Sequence, residues 1–188
     1  MRKTQRLSAL VFAALLLCAL PFGEASAWLV KTGQVQRGRF SGSGVSFTAP
    51  ASFTLRDIFK NDTWDEVILE GPRDVNGFIP EIHISLFKDP LVMADFTMDD
   101  DLDFVFYNLS GSNALSLLDE PVTLHGGDAL RRIIFYNLPD DRMGVLYRYH
   151  FNLNGVGVTA DYRARTATRS LPDDMAAFPA LVEGMKIE

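Results

Sequence analysis

The chain has 188 residues, 47% of them apolar, 11% aromatic and 22% charged, with a formal net charge of −6. That composition excludes collagen-like, disordered and disulfide-scaffold chains, and a chain of this length can bury a core without metal or disulfide. The acidic balance disfavours nucleic acid and anionic membrane surfaces, because like charges repel phosphate.

Residues 1 to 27 read as a secretory signal. Arg2, Lys3 and Arg6 form a positive start, Leu7 to Leu20 is apolar apart from Ser8, and Ala25-Ser26-Ala27 has the small-x-small pattern of a cleavage site. The apolar run is too short to span a bilayer, so cleavage rather than anchoring is expected. Leu17 precedes the single cysteine, Cys18, and is not the small residue that a lipidated cysteine requires. The leader carries three of the 18 Lys+Arg and one of the 24 Asp+Glu, so removing it leaves a charge of −8 and no cysteine. Thiol catalysis and Cys-ligated metal are excluded on that reading. The expected location is outside the cytoplasm, in a bacterial periplasm.

Residues 28 to 188 contain no repeat, charge block or proline-rich linker and read as one domain. Trp28 to Phe40 is expected to be irregular or an edge. Val45 to Thr48 alternates and stops at Pro50, and Phe53 to Ile58, Trp64 to Glu70 and Phe78 to Phe87 are strand-like. In the last of these, Ile82, Ile84 and Leu86 share a face and His83 and Ser85 take the other. Thr97-Met98-Asp99-Asp100 predicts a helix start, and Leu102, Val105, Phe106 and Leu109 supply its apolar stripe.

The second half switches to period two, with strands over Val122 to Leu124, Ala129 to Tyr136, Gly144 to Leu153 and Val156 to Arg163. Asn154-Gly155 is a hairpin turn, since both central residues of a type I′ turn need positive φ. A two-residue turn there pairs Leu153 with Val156 and sets Arg148 opposite Asp161, His150 opposite Thr159 and Tyr149 opposite Ala160. A capped helix follows from Ser170-Leu171-Pro172-Asp173, with Met175, Phe178, Leu181, Val182 and Met185 as its stripe. The expected fold is α+β: an α/β/α sandwich with a central antiparallel sheet of about six to seven strands flanked by two main helices.

Two groups of residues stand out as candidate sites. The hairpin's polar face, Arg148, His150, Asn152, Thr159 and Asp161, could bind a partner, although a solvated sheet face is the plainer reading. Asp95, Asp99, Asp100, Asp101 and Asp103 could take a hard cation such as Ca2+ or Mn2+; helix capping already accounts for them, and no EF-hand spacing is present. No cofactor is otherwise implied. His83, His125 and His150 are dispersed, and Arg131-Arg132 must place one guanidinium on each face of its strand. No nucleophile elbow or dinucleotide loop is present, so a catalytic site is not expected.

Two segments resemble a known family. Gly44-Val45-Ser46-Phe47-Thr48-Ala49-Pro50 with Phe53, followed by Leu69-Glu70-Gly71-Pro72, is similar to the opening strands of small exported PsbP-like proteins, with Phe53 where that family has tryptophan. Leu118-Asp119-Glu120-Pro121-Val122-Thr123-Leu124-His125-Gly126-Gly127-Asp128-Ala129-Leu130-Arg131-Arg132 looks like their recurring hairpin. The resemblance implies the α/β/α sandwich of the photosystem II extrinsic subunit and of a nuclear Ran-binding protein, and roles in docking to or assisting larger assemblies. The expected function is therefore a non-enzymatic exported binding or accessory protein that docks to an envelope protein or complex. The alternatives are a small-molecule or divalent-metal carrier and, third, a hydrolase whose carboxylates meet only in the fold.

Overall fold

The computed structural model describes residues 28–29, 34–36, 39–74, 77–88, 115–138, 142–166 and 173–188. Within them the chain forms β1 (Trp28–Leu29), β2 (Gln34–Gln36), β3 (Arg39–Gly42), β4 (Val45–Thr48), β5 (Thr54–Lys60), β6 (Trp64–Glu70) and β7 (Glu81–Phe87). There follow β8 (Leu115–Leu124), β9 (Gly127–Asn137), β10 (Met143–Leu153), β11 (Val156–Thr166), a 3-10 turn (Asp173–Ala177), helix α1 (Phe178–Glu183) and β12 (Lys186–Ile187).

All strand pairs are antiparallel, in a large sheet of order β1-β5-β6-β7-β11-β10-β9-β8 and a small one of order β12-β4-β3-β2. Among the described residues, three hairpins turn on two residues with positive φ: Ser43-Gly44, His125-Gly126 and Asn154-Gly155. Such turns match the right-handed twist of the strands they join. The β10–β11 register is the expected one, with Leu153 opposite Val156 and Arg148 opposite Asp161.

One face of the large sheet is apolar. Val67, Leu69, Ile82, Ile84, Tyr147, Tyr149, Ala160 and Tyr162 lie on it, in one continuous core with Phe40, Val45 and Phe47 of the small sheet and Phe178, Leu181 and Val182 of α1. The Phe178 ring meets Tyr147, Tyr149 and Tyr162 at centroid distances of 5.4, 5.9 and 6.0 Å. At the small sheet, Phe40 stacks on Phe47 at 4.8 Å.

The expected α/β/α sandwich with two main helices is corrected. The described fold is mostly β, two antiparallel sheets with a single short helix. Instead of loose chain alone, β2, β3 and β4 pair into a second sheet, which β12 completes from the far end of the sequence. The carboxy-terminal stripe is buried in full, from Met175 to Met185, but only Phe178–Glu183 of that stretch is α-helical. Pro179 lacks the N–H that a longer helix would need there and is accommodated in the first turn. Gly184 ends the helix, its N–H bonded to the Ala180 carbonyl. The helix expected from Thr97 lies outside the described residues. Among the described residues, no helix is long and apolar enough to cross a membrane.

Candidate functional site

The other face of the large sheet carries a row of charged side chains. Alternation puts every second residue there, and register places Asp119, Arg132, Arg148, Asp161 and His83 side by side on β8, β9, β10, β11 and β7. Four of the five are buried; Arg132 is 1% exposed, Asp161 2%, Arg148 6% and His83 8%. The polar hairpin face is therefore not solvated, in contrast to the plainer expectation from alternation. Thr159 and His150 are also buried, and only Asn152 is exposed.

Buried charges persist only when paired, and these are. Arg148 donates from Nε to Asp161 Oδ1 at 2.6 Å and from Nη2 to Oδ2 at 2.7 Å, a two-pronged contact. Arg163 Nη2 reaches the same carboxylate at 2.9 Å. At the other end Arg132 Nη2 lies 3.2 Å from both oxygens of Asp119. Arg132 and Arg148 stand directly opposite each other, an unfavourable like-charge pair that the flanking carboxylates offset. Burial pushes the Asp161 carboxyl up, but the charge and hydrogen bonds of Arg148, and then of Arg163, outweigh it and hold the group well below the usual carboxylate range.

The row continues into a cluster on β5 to β7. His83 has Glu66 Oε1 2.8 Å from Nδ1 and Glu81 Oε2 2.8 Å from Nε2. Carboxylates only accept, so both bonds form when the ring carries a hydrogen on each nitrogen. Glu81 also meets Arg56, which contacts Glu70 at 3.3 Å and Asp57 at 3.2 Å. Burial raises the Glu81 carboxyl, and the bond and charge of His83, followed by Arg56, bring it below its ordinary value.

Arg131 and Arg132 part as strand geometry requires. Arg131 takes the apolar face, at its β8 margin, beside Glu120. On that face Tyr147 and Tyr149 join their hydroxyls at 2.8 Å, and burial, then the bond to Tyr149, pushes the Tyr147 phenol far up. His125 sits in its turn and points Nε2 to the Val182 carbonyl at 3.0 Å, tying the β8–β9 hairpin to α1. His83 and His125 thus have separate surroundings.

Asp95, Asp99, Asp100, Asp101 and Asp103 lie outside the described residues. Among the described residues, no group of three or more His, Cys, Asp or Glu is arranged to hold a metal. Sequence reasoning missed Arg56, Glu66, Glu70 and Glu81 as members of the polar face. Their phase against Val67, Leu69, Ile82 and Ile84 was visible, but which strands lay beside β11 was not.

No family model and no curated protein matches the sequence. Among solved structures, the chain is similar to a candidate regulator of unknown function, PA94 from Pseudomonas aeruginosa, at 15% identity and a TM-score of 0.44, covering 68% of this chain and 90% of that one. It is also similar to the cyanobacterial PsbP (CyanoP) of Synechocystis sp. PCC 6803, at 12% identity and a TM-score of 0.45, covering 89% of this chain and 99% of that one. Likenesses this distant carry no residue roles across.

Proposed function

We propose that this is an exported, non-enzymatic accessory protein that docks to an envelope protein or complex, using the rim of the polar face. The observation that supports this reading is the charged row across neighbouring strands, together with its partly exposed margin at Arg56, Glu70, Glu81 and Arg163. Their side chains keep 27 to 41% of their exposure. Side chains already ordered by each other lose little further freedom on binding, and fixed charges of both signs favour selectivity. The buried pair Arg148 and Asp161 acts as the support behind that rim rather than as the contact.

The test is a charge swap at the rim, Arg56→Glu with Glu70→Arg, which inverts that pair and keeps a guanidinium directly opposite Glu81. The exported protein and its swapped form are crosslinked in the native envelope and the captured proteins compared by mass spectrometry, with melting curves in parallel. Loss of one dominant partner at an unchanged melting temperature is the expected result. Equal capture removes this rim as the contact, and no capture by the wild-type protein removes the docking reading itself.

A further inference from the structure

The polar residue that the burial pattern leaves over is Asn152. It belongs to the hairpin's polar face by alternation, yet it is exposed and its side-chain oxygen is turned to the chain's own turn: Gly155 N–H donates to Asn152 Oδ1 at 2.8 Å. In a two-residue hairpin that N–H has no partner in the strand ladder, so the bond is supplied by a side chain alone.

Gly155 N is also the atom that can attack its neighbour. In an Asn-Gly sequence the amide nitrogen of glycine loses its proton to a base and bonds to Cγ of the asparagine, which expels ammonia and closes a succinimide ring. Water then reopens either carbonyl, giving aspartate or isoaspartate. Glycine has no side chain to block the approach, and both Asn154 and Gly155 are exposed to water. The proton that must leave is the one held by Asn152. We propose that Asn154 is a site of spontaneous deamidation and that Asn152 restrains it by holding the Gly155 N–H.

The consequence reaches the polar face. Isoaspartate adds a methylene to the main chain at a residue with φ 52°, inside the turn that sets the register of Arg148 against Asp161. A one-residue slip would turn the ladder's side chains to the wrong faces.

The experiment follows Asp and isoAsp formation by peptide mapping of the purified protein, aged at mildly alkaline pH, in wild type, Asn152→Ala and Asn152→Asp. The sequence's other Asn-Gly pair, Asn76-Gly77, serves as an internal reference. Deamidation at Asn154 is expected several-fold faster in Asn152→Ala, the scale of one exposed hydrogen bond, with Asn76 unchanged. Asn152→Asp keeps an acceptor for the N–H and should return the rate to near the wild-type value. Equal rates at Asn154 in wild type and Asn152→Ala overturn the proposal. So does equal acceleration at both asparagines, which would mark general loosening instead of a lost restraint. Asn154→Gly, which suits the same turn, should abolish the signal at this position.

Discussion

Tyr162 and Asp161 are neighbours on β11, both nearly inaccessible to water, and they face opposite sides of the large sheet. Tyr162 enters an aromatic and aliphatic core in which contacts are numerous, individually weak and non-directional. Asp161 enters a row in which a few short, directed bonds must all be made. The same strands therefore carry two kinds of stability one residue out of phase. The apolar face loses stability in proportion to removed volume, and the polar face loses it when a partner is orphaned.

The largest effect should come from Phe178→Ala. This ring is fully buried against three tyrosines, and its removal should cost about 3 to 5 kcal/mol in urea unfolding. A cost below about 1 kcal/mol would mean that α1 is not part of the core.

Arg148→Met should come next, about 2 to 4 kcal/mol, because Asp161 is left buried with only the more exposed Arg163 to pair its charge. The two faces separate in the double variant. Arg148→Met with Asp161→Leu should regain most of the loss, since replacing both members of a buried pair by apolar groups is often neutral. A double variant as unstable as the sum of its parts would show that the polar row is not held by this pairing.

Acid should act chiefly on the polar face. Asp161 and Glu81 both have their carboxyl values lowered in the fold, so their stabilisation is present above the ordinary carboxylate range, near 4 (about 3.9 for Asp and 4.3 for Glu), and disappears as pH falls toward the folded values. Melting temperature should drop through that acid range in the wild type and drop less steeply in the Arg148/Asp161 double variant. Phe178→Ala should shift the whole curve down without changing its acid slope. Parallel curves for wild type and double variant would show that Asp161 contributes nothing to the acid limb.

The smallest of these effects is Gly144→Ala. Gly144 stands opposite Tyr136, and a Cβ there would lie closer to the ring's Cζ than any ordinary contact. Displacing the ring should cost about 1 to 3 kcal/mol. Calorimetry showing a loss under about 0.5 kcal/mol would mean that the ring swings aside freely.

Much of the local structure was legible in residue order. Trp64–Glu70 and Val45–Thr48 were bounded correctly, and the Asn154-Gly155 turn fixed eleven facing pairs along β10 and β11. Both follow from signals within a few residues: side chains alternate along any strand, and a two-residue turn admits one register. The same rules identified Arg148, His150, Asn152, Thr159 and Asp161 as one face. They did not disclose its burial, since alternation tells two faces apart without telling which is covered.

What only the tertiary structure decided is non-local. β7 lies against β11, far along the chain, and that pairing joins His83 and Glu81 to Asp161 and Arg163. β12 closes a small sheet begun by residues 34 to 48. The helix expected over the terminal apolar stripe is α-helical only from Phe178 to Glu183, after a 3-10 turn, and the stripe is buried all the same. Periodicity is set by covalent geometry and can be read in sequence, whereas the choice of neighbour is set by which distant surfaces bury best together.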